Sequence, residues 1–588
     1  MATVIPASQL GAFEPNGHID FYGYSSAAGG WFFCGWCSDV WPGRRPTTKV
    51  IAHFKQCGLL ADALLAWYDR PDIARGGAVG VVVFLPDVSR PQGELLALDI
   101  QGDAQGSGVR VTPIRPTEQL REKDLTPRAL AIIGGAYGAP ATMETLTVLL
   151  SRRGYAGRDT LQDLPAFVRA EIDEAILVGP DGLVLIGWLV DPTHSVAAWR
   201  VRSGQLCSED LSTRILPVLR HDVVEALADQ HEVSDPFCGL LAYASNCAVP
   251  DQPVYLEIEL VDGSIGYKAV PNPAKRGMPA IRRLLEGYTL TPDILDRVFD
   301  DIIGPAIGGL NKARLEAPRL HGEIAFGPVN PAPRCSLIIP LYGRVDFLQF
   351  QMALFSQRDM SDYEFIYVLD DPPRKAELLA LAETVWARFG IPFRIVMLKA
   401  NLGYAPANNV GLAQARGTYT CYLNSDVMPD EPDWLDIMIA DLEDDPTIGV
   451  VGALLLFEDG TIQHQGMSFE RLTAYAGWPF PCHPGKGRRP RARPQPIERV
   501  EAVTGACMVL RTELAHELGG FDEIYAIGDF EDSDLCMKIR RKGLDCVVDH
   551  RARLWHLERQ SQVDSNTTWR MYLTLYNAWV HKKRWFAG

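Results

Sequence analysis

A chain of 588 residues with 47% apolar and 22% charged side chains is too long for one hydrophobic core and reads as roughly three to five ordinary globular domains. Its net charge of −16 excludes a broad phosphate-binding surface, so nucleic acid is not an expected partner. No apolar run reaches the length of a membrane span, and MATVIPASQLGAFEPNGHID lacks the basic start and apolar core of a secretory signal, so the expected compartment is the cytoplasm.

The first half repeats itself. WFFCGWCSD (31–39) echoes LVLIGWLVD (183–191), aligning Gly35-Trp36 with Gly187-Trp188, and LLAWYDRPDIAR (64–75) echoes ILPVLRHDVVEA (215–226), aligning Arg70 and Asp72 with Arg220 and Asp222. GVVVFLP (80–86) and GLLAYAS (239–245) follow in the same order, each leading to a β-rich run, ELLALDIQGD and VYLEIELVDG. Alternating apolar residues between Gly and Pro turns predict two small β-sandwich modules. The repeated Arg and Asp fit a structural ion pair or turn anchor first, since a repeat retains what its fold needs, and a ligand site second.

Cys34 and Cys37 have the CxxC spacing of a redox motif, but the aromatic run GGWFFCGWCSDVWP is strand-like. Residues three apart on a strand point to opposite faces, and the second copy carries Ile186 and Leu189 in their places. The twelve cysteines, scattered over a long chain, are expected to be free thiols.

Apolar residues at intervals of three and four predict amphipathic helices in ATMETLTVLLSRRGY and LQDLPAFVRAEIDEAI, within 116–174, and in MPAIRRLLEGY and PDILDRVFDDIIGPAIGGL, within 278–314. From about Arg334, strands alternate with helices: CSLIIP, YEFIYVLDD and FRIVMLK are strands, with VDFLQFQMALFSQ and RKAELLALAETVWARFG between them. This pattern predicts a doubly wound α/β domain with a mostly parallel sheet and a site beyond the strands' carboxyl ends. The expected division is a β module over 1–115, a helical connector over 116–174, a second β module over 175–272, a helical linker over 273–330, the α/β domain over 331–560 and an aromatic, basic helix over 561–588.

In the α/β half the chain carries, in order, IIPLYGR, VLDD, NLGYAPANNVGL, LNSD, TGACMVLRTELAHELGGFDE, GDFEDSDLCMKIRRKG and LWH. Over roughly 334–558 this series resembles the inverting family 2 glycosyltransferases with a Rossmann-like GT-A fold. The resemblance implies that Asp370 accepts a hydrogen bond from a uracil or thymine N3–H, with Pro340 and Tyr342 lining the nucleoside pocket. It places Asn401, Gly403 and Asn408 near nucleotide and sugar, although ANN also suits the first turn of a capped helix. Asp426 takes the place of the metal-binding carboxylate in a DxD motif whose first position is here Asn424. His556 resembles a histidine that completes the metal shell; Mg2+ prefers oxygen whereas Mn2+ also accepts imidazole, so of the two expected cations, Mn2+ or Mg2+, an Asp plus His pair leans towards Mn2+.

The implied general base is Asp532, with Glu531 as the alternative; three carboxylates in EDSD raise one another's proton affinity, and they also favour a helix start. The segment from Thr461 to Gly505 is expected on the acceptor side, where His464, His483, Lys486 and Asp534 are weaker candidates. Its basic run GKGRRPRARP suits either a lipid-linked diphosphate or a solvated loop. The tail WRMYLTLYNAWVHKKRW suits docking on the domain or lying on a membrane surface, docking being favoured.

The function these features predict is transfer of a sugar from a UDP- or dTDP-sugar to a glycan or lipid-linked acceptor in bacterial surface polysaccharide synthesis, with a divalent cation and peripheral membrane contact. The alternative is a catalytically silent scaffold whose β modules bind glycans or partner enzymes, supported by Asn424. A sugar nucleotidyltransferase would need a Gly-rich loop after the first strand, where PLYGR has one glycine.

Overall fold

The computed structural model describes residues 3–5, 15–25, 28–38, 46–55, 58–73, 77–86, 95–102, 108–120, 122–151, 155, 157–203, 206–231, 233, 235–248, 252–491, 495–557 and 568–587. The chain forms two units, Met1–Ala274 and Lys275–Gly588.

The first unit carries the duplication in its strand order. Strands Pro15–Ser25, Gly30–Ser38, Ala78–Pro86 and Leu64–Asp69 lie side by side in that order, as do Arg169–Val178, Gly182–Val190, Gly239–Ala244 and Ile215–Val218. A second set repeats as well: Gly58–Asp62, Pro46–Phe54, Leu95–Gly102 and Gly108–Gln119 correspond to Leu206–Cys207, Val196–Ser203, Val254–Leu260 and Ile265–Ala269.

In the second copy the two sets are separate four-stranded sheets sharing one core that includes Leu185, Trp199, Leu240 and Ile258. In the first copy the strand Gly108–Gln119 pairs with both Leu95–Gly102 and Pro15–Ser25, so both sets join one nine-stranded hydrogen-bonded path. There the expected pair of separate sheets gives way to a single continuous one.

The repeated Arg and Asp are anchors of one design. Arg70 donates from Nε and Nη2 to the two carboxylate oxygens of Asp72 (2.8 and 2.7 Å) and from Nη1 to Asp20 (2.5 Å). Arg220 does the same to Asp222 (2.8 and 2.8 Å) and Asp173 (2.6 Å). Asp20 and Asp173 each sit where strand register shifts, and beside each bulge a glycine meets the neighbouring strand. A Cβ at Gly35 would lie 2.2 Å from the His18 carbonyl oxygen, and one at Gly187 2.1 Å from that of Glu171. Only glycine admits this approach.

That bulge also explains a correction. The helix expected through LQDLPAFVRAEIDEAI is a short 3-10 turn, Leu161–Asp163, followed by the strand Arg169–Val178. Ala170, Ile172 and Ala175 are buried, and the extra residue at Asp173 turns a two-residue period into a three-residue step that imitates a helix. The helix expected nearby is present as Pro140–Ser151, joined by Glu122–Ile133, and Leu125, Ala129, Leu146 and Leu150 cover one face of the first sheet. Cys34 is buried beneath those helices and Cys37 in the core on the opposite face, which separates the two thiols.

The second unit is built on a mixed sheet, with β1 (Cys335–Leu341), β2 (Tyr363–Leu369), β3 (Phe393–Leu398), α1 (Tyr404–Leu412), β4 (Tyr419–Leu423), β5 (Ile448–Leu456), β6 (Cys507–Arg511), α2 (Glu531–Arg541), β7 (Asp545–His556) and α3 (Thr568–Trp585) as its main elements. The order is Leu320–Phe326, β3, β2, β1, β4, β6, β5, β7, Val427–Pro429. β3, β2, β1 and β4 are parallel, β6 runs against β4 and β5, and β7 is parallel to β5. The sheet is therefore mixed, where a mostly parallel one was expected. Every residue of β2, β3 and β4 is buried, because helices cover both faces, and this is why those strands read as unbroken apolar runs.

The tail docks on its own unit. Tyr572, Leu573, Tyr576, Ala578 and Val580 of α3 are buried, Tyr572 stacks on Tyr288, and Trp579 donates to Asp300 at 2.7 Å. Among the described residues no helix is long and apolar enough to cross a membrane.

One buried polar cluster makes the fold sensitive to pH. Asp441, on the helix Trp434–Asp444, lies beside Asp549 of β7, both buried, and Arg551 donates to each (2.7 and 2.6 Å). Burial and the neighbouring Asp549 push Asp441 up to about 7 against the pull of Arg551. The folded state thus holds a proton that the unfolded chain releases near pH 4, so the stabilisation is complete below about pH 4 and is lost as pH rises through the folded value. Asp441→Asn, uncharged at every pH, is expected to raise Tm by about 3 °C at pH 8 and to leave it unchanged near pH 4 in thermal melts.

Candidate functional site

The parallel strands end on polar residues that hold the loops above them. Asp370, following β2, is 4% exposed and accepts from the backbone N–H of Leu402 (2.6 Å) and Gly403 (2.8 Å). Burial pushes its carboxyl up to about 7, opposed by those two hydrogen bonds and by Arg314. Gly403 sits at φ 94°, and a Cβ there would lie 2.7 Å from the backbone of Ile527. The Asn401 carbonyl accepts from Arg314 at 3.0 Å. Pro340 lies at the end of β1, and Tyr342 beyond it is half exposed.

Asn408, expected beside the sugar, is fully buried: the phase of α1 turns it inward, and its amide donates to the Tyr404 carbonyl at 3.0 Å. It belongs to the core of the domain, not to a ligand surface.

The turn after β4 carries Asn424 and Asp426 and is held from below. Gln351, buried on the helix Phe347–Phe355, donates to the carbonyls of Asn424 and Val427, both at 3.0 Å, and accepts from the Tyr367 hydroxyl at 3.1 Å. The strand Val427–Pro429 pairs with the end of β7, setting Val427 opposite His556. This register brings the His556 Nε2 to 3.4 Å from the Asp426 Oδ1. The Asn424 Oδ1 and the His556 Nδ1 are buried without hydrogen-bond partners.

A second set of contacts joins this turn to the acidic helix. The Asn424 N–H donates to the Ala506 carbonyl (2.9 Å), the Gly505 N–H donates to Asp532 (3.0 Å), and the Tyr404 hydroxyl donates to the Gly505 carbonyl (2.7 Å). Asp532 also accepts from the Ser533 N–H at 2.7 Å, and burial raises its pKa against these donors. Glu531 is buried more deeply, its Oε2 has no hydrogen-bond partner, and burial together with Asp532 and Asp529 pushes it well above the ordinary carboxylate range. Gln351, Tyr404 and Gly505, which assemble the site, were not singled out by the sequence; of the two glutamines in the apolar helix FLQFQMALF, Gln351 is the buried one, and that amide was the one signal for any of them.

Two of the acceptor-side candidates are displaced from any ligand surface. His464 is fully buried, with its Nε2 receiving the N–H of Gly466 (3.2 Å) and Thr504 (3.3 Å) and its Nδ1 3.0 Å from the His483 Nδ1. Burial depresses its pKa, so the ring is a neutral clip between two backbone segments. Asp534 is fully buried and accepts from Tyr525 (3.1 Å) and Trp585 (2.7 Å), which ties α2 to α3. Helical phase turns it away from Asp532. Lys486 is exposed and stands 5.4 Å from the centre of the Phe457 ring. Arg488, Arg489 and Arg491 are exposed beside it, while residues 492–494 of the basic run lie outside the described residues.

The motifs these segments carry find a counterpart among known proteins. Residues 336–519 match the profile of Glycosyl transferase family 2. The family 2 match and the doubly wound mixed sheet give the C-terminal region a GT-A-like fold, whereas the N-terminal half has no family match. The chain is 31% identical over 264 residues to the O-antigen biosynthesis protein RfbC of Myxococcus xanthus, and 32% identical over 257 residues to the uncharacterized protein y4gI of Sinorhizobium fredii. These alignments cover 44% and 42% of this chain but only 20% and 28% of the two relatives. Among solved structures, GalNAc-T7 with UDP, GalNAc and Mn2+ aligns over 41% of this chain and 47% of its own, with 17% identity and a TM-score of 0.32.

Replacing Gln351 by Leu removes three hydrogen bonds beneath the Asn424–Asp426 turn of the family 2 domain. The variant is expected to lose about 2–3 kcal/mol of stability, measured by urea denaturation.

Proposed function

We propose that the C-terminal region is an inverting glycosyltransferase that moves a sugar from a UDP- or dTDP-sugar to a hydroxyl of a glycan or lipid-linked acceptor during surface polysaccharide assembly. The observation that carries this is the Thr504–Ala506 segment, which couples the Asn424–Asp426 turn to Asp532 through backbone hydrogen bonds. The family 2 match supports the reaction class, and the O-antigen biosynthesis relative supports the polymer class.

Asp532 is the base in this scheme. It is more accessible than Glu531, and its raised pKa makes it a stronger proton acceptor than an ordinary aspartate. Its carboxylate takes the proton from the acceptor hydroxyl as that oxygen bonds to the anomeric carbon, and the bond to the nucleoside diphosphate breaks on the opposite face. One displacement inverts the centre, without the carboxylate nucleophile that a two-step retaining route uses. Asp370 keeps the 401–403 loop in place at the nucleoside end, with Tyr342 at its rim.

The fit of a cation rests on donors present in the chain. Adjacent ligands of one Mg2+-sized ion stand about 3 Å apart, close to the 3.4 Å between Asp426 and His556, and the buried, unpartnered Asn424 Oδ1 lies on the same turn. Asp426 and His556 would hold Mn2+ or Mg2+, which when bound offsets charge on the departing diphosphate. Among the described residues no set of three His, Cys, Asp or Glu side chains is grouped to hold a metal, and a cation held by Asp426 and His556 would need further oxygens, which a bound donor would supply. Exposed Lys486, Arg488, Arg489 and Arg491 suit the phosphates of a lipid-linked acceptor at the cytoplasmic membrane surface. Of the duplicated β modules, the second begins at the strand Arg169–Val178.

The test is release of UDP or dTDP from a panel of nucleotide sugars with Mn2+ and glycan acceptors. Asp532→Asn is expected to lower turnover at least about 100-fold while keeping its Tm. Because the base must be ionised, the rate should fall with decreasing pH at a higher pH than an ordinary aspartate would give. Full activity in Asp532→Asn would remove it as the base. His556→Ala is expected to raise the Mn2+ concentration needed for half-maximal rate by about 10–100-fold. Because Asn424 leaves one charge fewer at the cation, a silent scaffold is the second reading, and UDP binding without turnover across the panel would establish it.

A further inference from the structure

The segment before α2 is strained, and something has to hold it. Ile527, Asp529 and Phe530 have φ of 66°, 84° and 75°, a left-handed conformation that β-branched and aromatic side chains rarely adopt and that costs about 1–3 kcal/mol per residue. Such a conformation persists only where its surroundings impose it. The largest set of restraints comes from one side chain nearly fifty residues further on. Asn577 of α3, fully buried, accepts from the Ala526 N–H (2.9 Å) and donates to the carbonyls of Ala526 (3.2 Å) and Gly528 (2.6 Å). Thr574, one turn earlier, donates to Asp529 at 2.8 Å.

From the other side, the Tyr404 N–H donates to the Ile527 carbonyl at 2.6 Å, and the same tyrosine reaches Gly505, whose N–H meets Asp532. The clamped segment leads directly into Glu531 and Asp532. A side-chain amide bonded to three backbone groups behaves as an extra strand edge: it fixes the path of the chain without contributing a group to the chemistry.

We propose that Asn577 is a positioning residue, which holds Ala526–Phe530, with its three left-handed residues Ile527, Asp529 and Phe530, in place and so aims the first turn of α2, with Asp532, at the acceptor hydroxyl. The catalytic part of this inference rests on the transferase reading above; the clamp itself does not. α3 then becomes part of the working site through the segment it holds.

The test compares the full-length wild type, Asn577→Ala and Asn577→Ala/Ile527→Gly. Glycine adopts the left-handed path without cost, so it should relieve the need for the clamp. In hydrogen exchange without any ligand, Asn577→Ala is expected to speed exchange of the 526–533 amides at least about tenfold while the central strands stay protected, and the double variant to recover part of that protection. In the UDP-release assay, kcat should fall about 100-fold with the donor KM within about threefold of wild type, and the double variant should regain about tenfold. If Asn577→Ala does not fold, Asn577→Asp, which keeps the acceptor and removes both donors, takes its place. Unchanged protection at 526–533, a uniform loss across the domain, or an intact kcat with a loosened segment would each overturn the proposal. Should the wild type turn over no donor, the transferase reading fails, and the exchange data alone then decide the clamp.

Discussion

Everything at the candidate site hangs on a three-residue stretch of backbone. Thr504, Gly505 and Ala506 carry no charge, yet their amides and carbonyls are the points at which the Asn424 turn, the Asp532 carboxylate, the Tyr404 hydroxyl and the buried His464 ring meet. Gly505 has little latitude, since a Cβ there would come within 3.0 Å of the Tyr404 hydroxyl oxygen and 3.3 Å of the Asp532 Cβ. Polar side chains thus bind to main chain more than to one another. Backbone positions are set by the sheet and helices, so such a hub inherits the rigidity of the fold.

How much of this was legible in the sequence depends on the kind of signal. The strands of the parallel half were, because burial on both faces turns them into apolar runs such as YEFIYVL and FRIVML. Asp426 and His556 were expected as ligands of one cation; what the structure shows of them is a strand pairing that sets the two side chains 3.4 Å apart. The direction of β6 was not legible, since CMVLR is equally apolar in either orientation. Asn408, His464 and Asp534 were misplaced for one reason: a polar residue in a motif has the same letter whether it faces a ligand or satisfies a backbone group inside. Their burial follows from helical phase and long-range packing, which no local window contains. Asn577 was hidden in the same way, in a tail whose aromatic and basic composition draws attention elsewhere.

The N-terminal duplication shows the converse, a weak sequence echo with a strong structural one. What the two copies share is a bulge, a glycine admitting it and an arginine tying the bulge to a turn. The side chains of the cores have diverged, while the strand order and this anchor have not. An arginine fork satisfied at three nitrogens is hard to replace stepwise, because losing one partner leaves charge unmatched in a partly buried place.

The ladder that sets Val427 opposite His556 has a consequence for how such a site can change over time. Strand pairings move in whole residues, and a slip by one would carry the imidazole to the other face of the sheet. The distance between the carboxylate and the ring is therefore quantised: substitutions cannot tune it gradually, and an ancestor either had the pair or lacked it. Change at this turn that leaves the chain in place falls instead to side chains whose backbone the fold already holds, and Asn424, whose N–H and carbonyl are both bonded, is such a position.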